Sequence, residues 1–319
     1  MNSIAVLGAG AFGTALAISL AKTGKPVTLW ARTGGAQMQA ERENTRRLAG
    51  VRLPDTLMIS DGLETISAQT WLLAVPMQQL GQFCHQNVDL LRGRDLVACC
   101  KGIDLATQLG PVALMRRIIP DATHAVLSGP SFAVDIAANL PTALTLASPE
   151  PKDAQRLRDL LSTQNIRLYS SVDCTGVELG GALKNVIAIA AGLAIGAGLG
   201  DSARAALMTR GFAEVTRLAQ HLGADPATLA GLSGFGDLVL TCTSQKSRNF
   251  TLGLALGAGE KMPDHITVEG VATAKAVSNM AQSAQIDLPI VHMIAAILDR
   301  KATVAQAMDA LLSRPLKPE

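Results

Sequence analysis

The sequence predicts two domains of different class: an α/β domain on a mostly parallel sheet over residues 1–175, and an all-helical domain over residues 176–319. Three observations carry this. Up to about residue 172, short apolar runs alternate with helical segments, as parallel strands joined by crossover helices do. After Thr175 the strand-like runs stop and helix-start signals replace them. The composition, 48% hydrophobic and 17% charged over 319 residues, belongs to a folded chain long enough for more than one core.

The predicted strands are, in order, "SIAVLG", "PVTLWA", "WLLAV", "DLVACC", "HAVLS", "TALTLA" and "IRLYS". In the second half, Thr175 with Glu178 and Thr303 with Gln306 have capping-box spacing, and Asp225 precedes a first-turn proline at Pro226. The run Val186–Gly200 has 15 residues and four glycines. It falls short of the roughly 20 that a membrane-crossing helix needs, so it reads as a buried helix and no membrane span is expected.

Composition also excludes function classes. The net charge is +2 and the basic residues are scattered, so no stripe suits a nucleic-acid partner, while small anionic ligands remain suitable. Five cysteines without a CxxC pair read as free thiols in a reducing compartment, which points to a cytoplasmic protein. "MNSIAVLGAGAFG" has no basic leader before its apolar run and reads as a first strand and turn, not as a signal peptide. His85, His124, His221, His265 and His292 show no HExxH spacing, and no metal is expected.

"SIAVLGAGAFGTALAISLAKTGKPVTLWAR" places Gly8, Gly10 and Gly13 directly after a strand and at the mouth of a helix, with a second strand following. That context turns a weak GxGxxG pattern into a dinucleotide-binding fingerprint of Rossmann type. Gly8 permits the tight turn, Gly10 a close approach of backbone to pyrophosphate, and Gly13 close helix–strand packing; Ala11 and Phe12 open the helix whose N–H groups meet the phosphates. The second strand closes on Arg32 where an NAD-selective site carries a carboxylate. An arginine there accepts a 2′-phosphate or stacks on adenine, so NADP(H) is expected to be accepted beside or ahead of NAD(H).

Three further clusters follow strands or helix caps: "CKGID" with Lys101, "LSGPSFA" with Gly129 and Ser131, and "GLSGFGDLVLTCTSQKSRNF" with Asp237, Ser247, Arg248 and Asn249. Ser247 reads as a helix cap with Arg248 in the first turn, a poor place for a cation unless an anion meets it or a carboxylate pairs with it. The remaining oddity is "GGALKNVIAIAAG", which sets Lys184 in an apolar run whose small residues let something approach, such as a nicotinamide. Desolvation pushes such a lysine toward the neutral form that a general base needs, with Asp237 to orient it. A stem lying on apolar surface with its head in water is the structural alternative.

Taken together, "GAGAFGTALA", "AVP", "KGI", "SGPSFA", "ELGGALKNVIAIAAG", "GLSGFGDLVLTCTS", "SRN" and "VEG" resemble the bacterial NAD(P)-dependent sn-glycerol-3-phosphate dehydrogenases over nearly the whole chain. The resemblance implies reversible reduction of dihydroxyacetone phosphate to sn-glycerol 3-phosphate for glycerophospholipid synthesis, a second domain like that of 6-phosphogluconate dehydrogenase, and a homodimer. It implies Lys184 as general acid/base with Asp237 beside it, and substrate contacts at Lys101, Gly129, Ser131, Asp237, Ser247, Arg248 and Asn249. Cofactor contacts are implied at Phe12, Arg32, Lys101, Ala133, Arg248 and Glu269. The chain departs from the family in two places. "ENTRRLAGVRLP" lacks the usual tyrosine-leucine-proline-glycine run, leaving the role of Arg46 and Arg47 on the cofactor open, and Met77 replaces a more usual serine.

Two rivals fit part of this pattern. A dehydrogenase of the same architecture acting on a 3-hydroxy acid or 3-hydroxyacyl thioester would need a catalytic histidine or another lysine context. A non-catalytic NADP(H) sensor could dispense with Lys184, Asp237 and Arg248.

Overall fold

The computed structural model describes residues 3–260, 268–307 and 313; His265 lies outside them. The chain divides into two compact units, Met1–Lys101 with Leu109–Glu178, and Gly102–Gln108 with Leu179–Glu319.

The first unit is built on strands β1 (Ile4–Leu7), β2 (Val27–Trp30), β3 (Glu43–Asn44), β4 (Leu48–Arg52), β5 (Leu57–Ser60), β6 (Thr70–Leu73), β7 (Asp95–Ala98), β8 (Thr123–Ser128), β9 (Thr142–Ala147) and β10 (Ile166–Ser171). Eight of them form one sheet in the order β10-β9-β8-β7-β6-β1-β2-β5, while β3 and β4 pair separately. All neighbours in the large sheet are parallel except β8 and β9. After β8 the chain makes only the short helix Ala133–Ala137 and re-enters the sheet at the same end, which reverses β9.

Every residue of β1, β6 and β7 is buried, because helices cover both faces. Alternate residues serve opposite cores: Ile4, Val6, Leu72 and Val97 pack on one face, Ala5, Leu7, Trp71, Leu73, Leu96 and Ala98 on the other. All seven predicted strands are present. β5 and the β3–β4 hairpin are additions. β5 is an edge strand whose Met58 is exposed, so it lacks a full apolar run. Its open side is occupied by side chains: the Ile59 N–H donates to Gln39 Oε1 at 3.0 Å, and Arg42 donates to the Leu57 carbonyl at 2.8 Å. That blocks the edge against pairing with another strand.

Among the described residues the second unit contains no strand. Its core is the apolar surface of helices Cys174–Gly196, Gly200–His221, Arg248–Gly257, Glu269–Ser283 and Pro289–Leu298. The helix Cys174–Gly196 is the expected buried helix, with its bounds and length corrected. It runs 23 residues and is long and apolar enough to cross a membrane, yet it lies buried as a core helix. It also stops at Gly196, short of Gly200, where the chain turns through Gly198 and Gly200 at positive φ. Gly192 and Gly196 face Gly253 and Gly257 on the helix Arg248–Gly257, and the backbones meet so closely that a Cβ on Gly192 would lie 2.1 Å from the Phe250 carbonyl oxygen.

Helix starts were partly legible. Asp225 accepts from Ala227 N–H at 2.8 Å, and Thr303 and Gln306 make the reciprocal bonds of a capping box at 2.9 and 3.2 Å. The Thr175–Glu178 box does not form. Asp173 caps instead, accepting from Gly176 N–H at 2.8 Å, and Glu178 accepts from Val112 N–H at 2.6 Å, at the start of the helix Pro111–Ile118. The long-range donor takes the carboxylate that the local motif would have used.

Glu214 plays a similar part in the second unit, accepting from the N–H groups of Ile290 and Val291 at the start of Pro289–Leu298. Burial pushes its carboxyl from 4.5 up to about 7, against the pull of those two donors. The native state therefore holds this proton more tightly than the unfolded chain, and the associated stability is lost as pH rises from about 4.5 through about 7. The full swing is about 3 kcal/mol, at 1.36 kcal/mol per pKa unit. Glu214→Gln should flatten the pH dependence of thermal unfolding across that window. An unchanged slope would show that Glu214 does not titrate there.

Candidate active site

In the first unit β1 ends at Leu7 and the chain turns through Gly8 at φ +117° into the helix Ala11–Ala21. A Cβ on Gly8 would lie 2.6 Å from the Ala74 carbonyl oxygen, and one on Gly13 only 2.1 Å from that of Gly8. Both glycines are required by the protein's own backbone. Gly10 is not: it has φ −71° and nothing within 4 Å of where a Cβ would stand. Its openness suits a ligand approaching the backbone, and the first-turn N–H groups of Ala11, Phe12 and Gly13 have no carbonyl in their own helix to meet. The loop therefore fits a dinucleotide pyrophosphate.

Sequence reasoning missed one brace. Asn44, buried at the end of β3, donates to the Ala9 carbonyl at 2.9 Å and to Thr14 Oγ1 at 2.8 Å, so it ties the hairpin to both sides of the glycine turn. Arg32 stands exposed beyond the end of β2. After β7, Lys101 Nζ donates to the Gly129 carbonyl at 3.1 Å, and Ser131 Oγ donates to the same oxygen at 3.3 Å. Two separately predicted clusters thus meet beyond neighbouring strands. Gly129 has φ +145°, with Leu144 Cα 3.1 Å from its missing Cβ. Ala133 begins the following helix.

In the second unit Lys184 is 8% exposed and Asp237 1%. The Lys184 ammonium donates to Asp237 Oδ1 at 2.6 Å and to Thr241 Oγ1 at 2.7 Å. The burial of Lys184 excludes the alternative in which its head reaches bulk water. Burial opposes an isolated ammonium, and Asp237 compensates its charge. Thr241 had no signal of its own in the sequence beyond standing one helical turn after Asp237.

The approach of Asp237 depends on glycine. Residues Leu232–Gly236 form a π-helical turn, with Gly236 N–H donating to the Gly231 carbonyl at 3.1 Å, and the helix Asp237–Cys242 follows directly. Such turns recur at functional sites. At Gly180 a Cβ would lie 2.8 Å from Gly234 Cα, so at this one of the small residues it is the π-helical turn that comes close. Cys242, at the end of that helix, is pushed up to about 12 by burial, which leaves a neutral, inert thiol.

Ser247 caps the helix Arg248–Gly257 by accepting from Phe250 N–H at 3.2 Å, and Arg248 is exposed in its first turn. Asn249 accepts from Gly270 N–H at 3.0 Å and donates to Asn185 Oδ1 at 2.8 Å, which ties the Glu269 end of the helix Glu269–Ser283 to the residue after Lys184. The described residues contain no cluster able to hold a metal ion. All five cysteines are free.

Residues 3–154 match the family described as NAD-dependent glycerol-3-phosphate dehydrogenase N-terminus, and residues 173–309 match its C-terminus. A glycerol-3-phosphate dehydrogenase [NAD(P)+] of a Ruegeria species is 57% identical, covering 99% of this chain and 100% of its own. The chain belongs to the NAD(P)-dependent glycerol-3-phosphate dehydrogenase family. Its relative of the same name from Paracoccus denitrificans is 55% identical over 99% of this chain and 100% of its own. The crystal structure of the Coxiella burnetii glycerol-3-phosphate dehydrogenase superposes with a TM-score of 0.93 at 37% identity, covering 98% of this chain and 99% of that one. The combination of a Rossmann-type unit with an all-helical unit is the fold of this family, of 6-phosphogluconate dehydrogenase-like type.

Proposed function

We propose that this member of the family reduces dihydroxyacetone phosphate reversibly to sn-glycerol 3-phosphate with NADPH or NADH, supplying glycerophospholipid synthesis. The observation that carries the reading is the buried Lys184, held by Asp237 and Thr241.

In this proposal residues 1–175 are the dinucleotide-binding domain and residues 176–319 the substrate-binding and catalytic domain, each lending some residues to the other ligand. The glycine turn with Ala11 and Phe12, together with Arg32, Lys101, Ala133, Arg248 and Glu269, contacts the nucleotide. Lys101, Gly129, Ser131, Asp237, Ser247, Arg248 and Asn249 contact the substrate. A bound reduced nicotinamide supplies hydride to the carbonyl carbon. The carbonyl oxygen gains negative charge as this happens, and Lys184 Nζ–H donates a proton to it. Asp237, which accepts from the ammonium at 2.6 Å, orients it before the transfer. In the oxidative direction the neutral amine takes the alcohol proton back. A phosphate on the substrate suits the exposed first-turn Arg248, which offers it a charge-assisted contact at a helix N-terminus. The proposal extends, on the resemblance alone, to a cytoplasmic homodimer.

The test is the initial rate of NADPH oxidation with dihydroxyacetone phosphate, beside dihydroxyacetone without its phosphate. Wild type should turn over the phosphate ester at least roughly tenfold more efficiently, the loss expected for one charge-assisted contact, and Arg248→Ala should erase most of that preference through KM. Equal efficiency on the two substrates would remove the phosphate from the reading. No turnover with either would return the sensor.

A further inference from the structure

The sequence leaves the role of Arg46 and Arg47 on the cofactor open, and the structure gives them a defined place. They form the turn between β3 and β4, closed by Arg47 N–H donating to the Asn44 carbonyl at 3.2 Å. Both are exposed, and among the described residues neither guanidinium has a hydrogen bond or ion pair. The acids nearest in sequence are engaged elsewhere: Glu43 accepts from Gly50 N–H at 2.8 Å, and Glu41 from Gln37 at 2.8 Å.

A pair of free surface arginines is ordinary. What distinguishes this pair is the anchor beneath it. A lone two-stranded hairpin is marginal in water. This one is pinned on its inner side by Leu48 in the core and by Asn44, 3% exposed, whose amide holds Ala9 and Thr14 of the glycine turn. The turn that carries the two cations is therefore fixed relative to the loop that fits a pyrophosphate. Guanidinium pairs suit phosphate because each offers a planar fork of donors to two oxygens.

We infer that the turn Thr45–Arg47 is a phosphate-binding arm of the nucleotide site, with Arg46 and Arg47 contacting a phosphate of the dinucleotide and Asn44 acting as the positioning residue that holds the arm against the glycine turn. This rests on the dinucleotide reading of the first unit. The shared chemistry is a phosphate group, supplied either by the pyrophosphate or by the 2′-phosphate, and the two cofactors separate these sources.

The experiment is equilibrium titration of the full-length protein with NADH and with NADPH, without substrate, for wild type and the Arg46→Ala/Arg47→Ala double variant. A loss of tenfold or more for both nucleotides assigns the arm to the pyrophosphate. A loss confined to NADPH assigns it to the 2′-phosphate. Unchanged dissociation constants for both overturn the inference, while a wild type that binds neither overturns the dinucleotide reading as well. Asn44→Ala supplies the positioning test. It should weaken binding in wild type but add much less in the double variant, a non-additivity that loss of fold alone would not produce. Additive losses would make Asn44 merely structural.

Discussion

Lys184→Ala is expected to lower turnover by about a hundred- to ten-thousandfold, the range typical of a lost general acid/base, while nucleotide binding persists. The Lys184 ammonium is the buried cation held by Asp237 at 2.6 Å and Thr241 at 2.7 Å. The same substitution strands Asp237 in the core without its partner, which typically costs about 3 to 5 kcal/mol. A melting curve must therefore accompany the assay. The double variant Lys184→Met/Asp237→Leu removes both charges and should recover stability without recovering turnover. A variant that melts like wild type and still reduces dihydroxyacetone phosphate at the wild-type rate would mean that another group handles the proton.

Gly192→Ala is expected to destabilise the protein by about 3 kcal/mol or more, a large part of the 5 to 15 kcal/mol that holds a typical fold. A Cβ there meets only backbone: the Phe250 carbonyl oxygen at 2.1 Å, Leu254 N at 2.9 Å and Gly253 Cα at 3.0 Å. No rotamer relieves such a contact, so the two helices must separate and lose packing around it. Gly10→Ala is the control. With nothing within 4 Å of its Cβ it should melt near wild type, yet bind nucleotide more weakly. Circular dichroism melting of the two variants checks this, and equal midpoints would show that the helix pair tolerates the methyl group.

Much of the fold was legible because its signals are local. The strands β1, β6 and β7 are buried on both faces and so read as unbroken apolar runs. β5 escaped because an edge strand with Met58 in solvent lacks that run, and its pairing is completed by Gln39 and Arg42 from elsewhere. The capping box at Thr175 misled for a related reason. Its spacing is right, but Val112, 66 residues away, supplies Glu178 with a competing donor. In the site, Gly8, Lys184, Asp237 and Ser247 stood out by residue type and context. Asn44 and Thr241 did not, since an asparagine after a helix or a threonine within one is unremarkable until its partner is known.

The sequence alone therefore determined the class of each half, the glycine turn and the unusual placing of a lysine in an apolar helix. These follow from backbone dihedrals, periodicity and desolvation, which depend on neighbours within a few residues. Only the tertiary structure decided that Asp237 and Thr241, 53 and 57 residues along the chain, receive the Lys184 ammonium, and that Asn44 braces Thr14 across 30 residues. Burial exacts a partner for every polar group, and which partner arrives is settled by the packing of helices, down to Gly180, where a missing side chain lets the Asp237 turn come close enough.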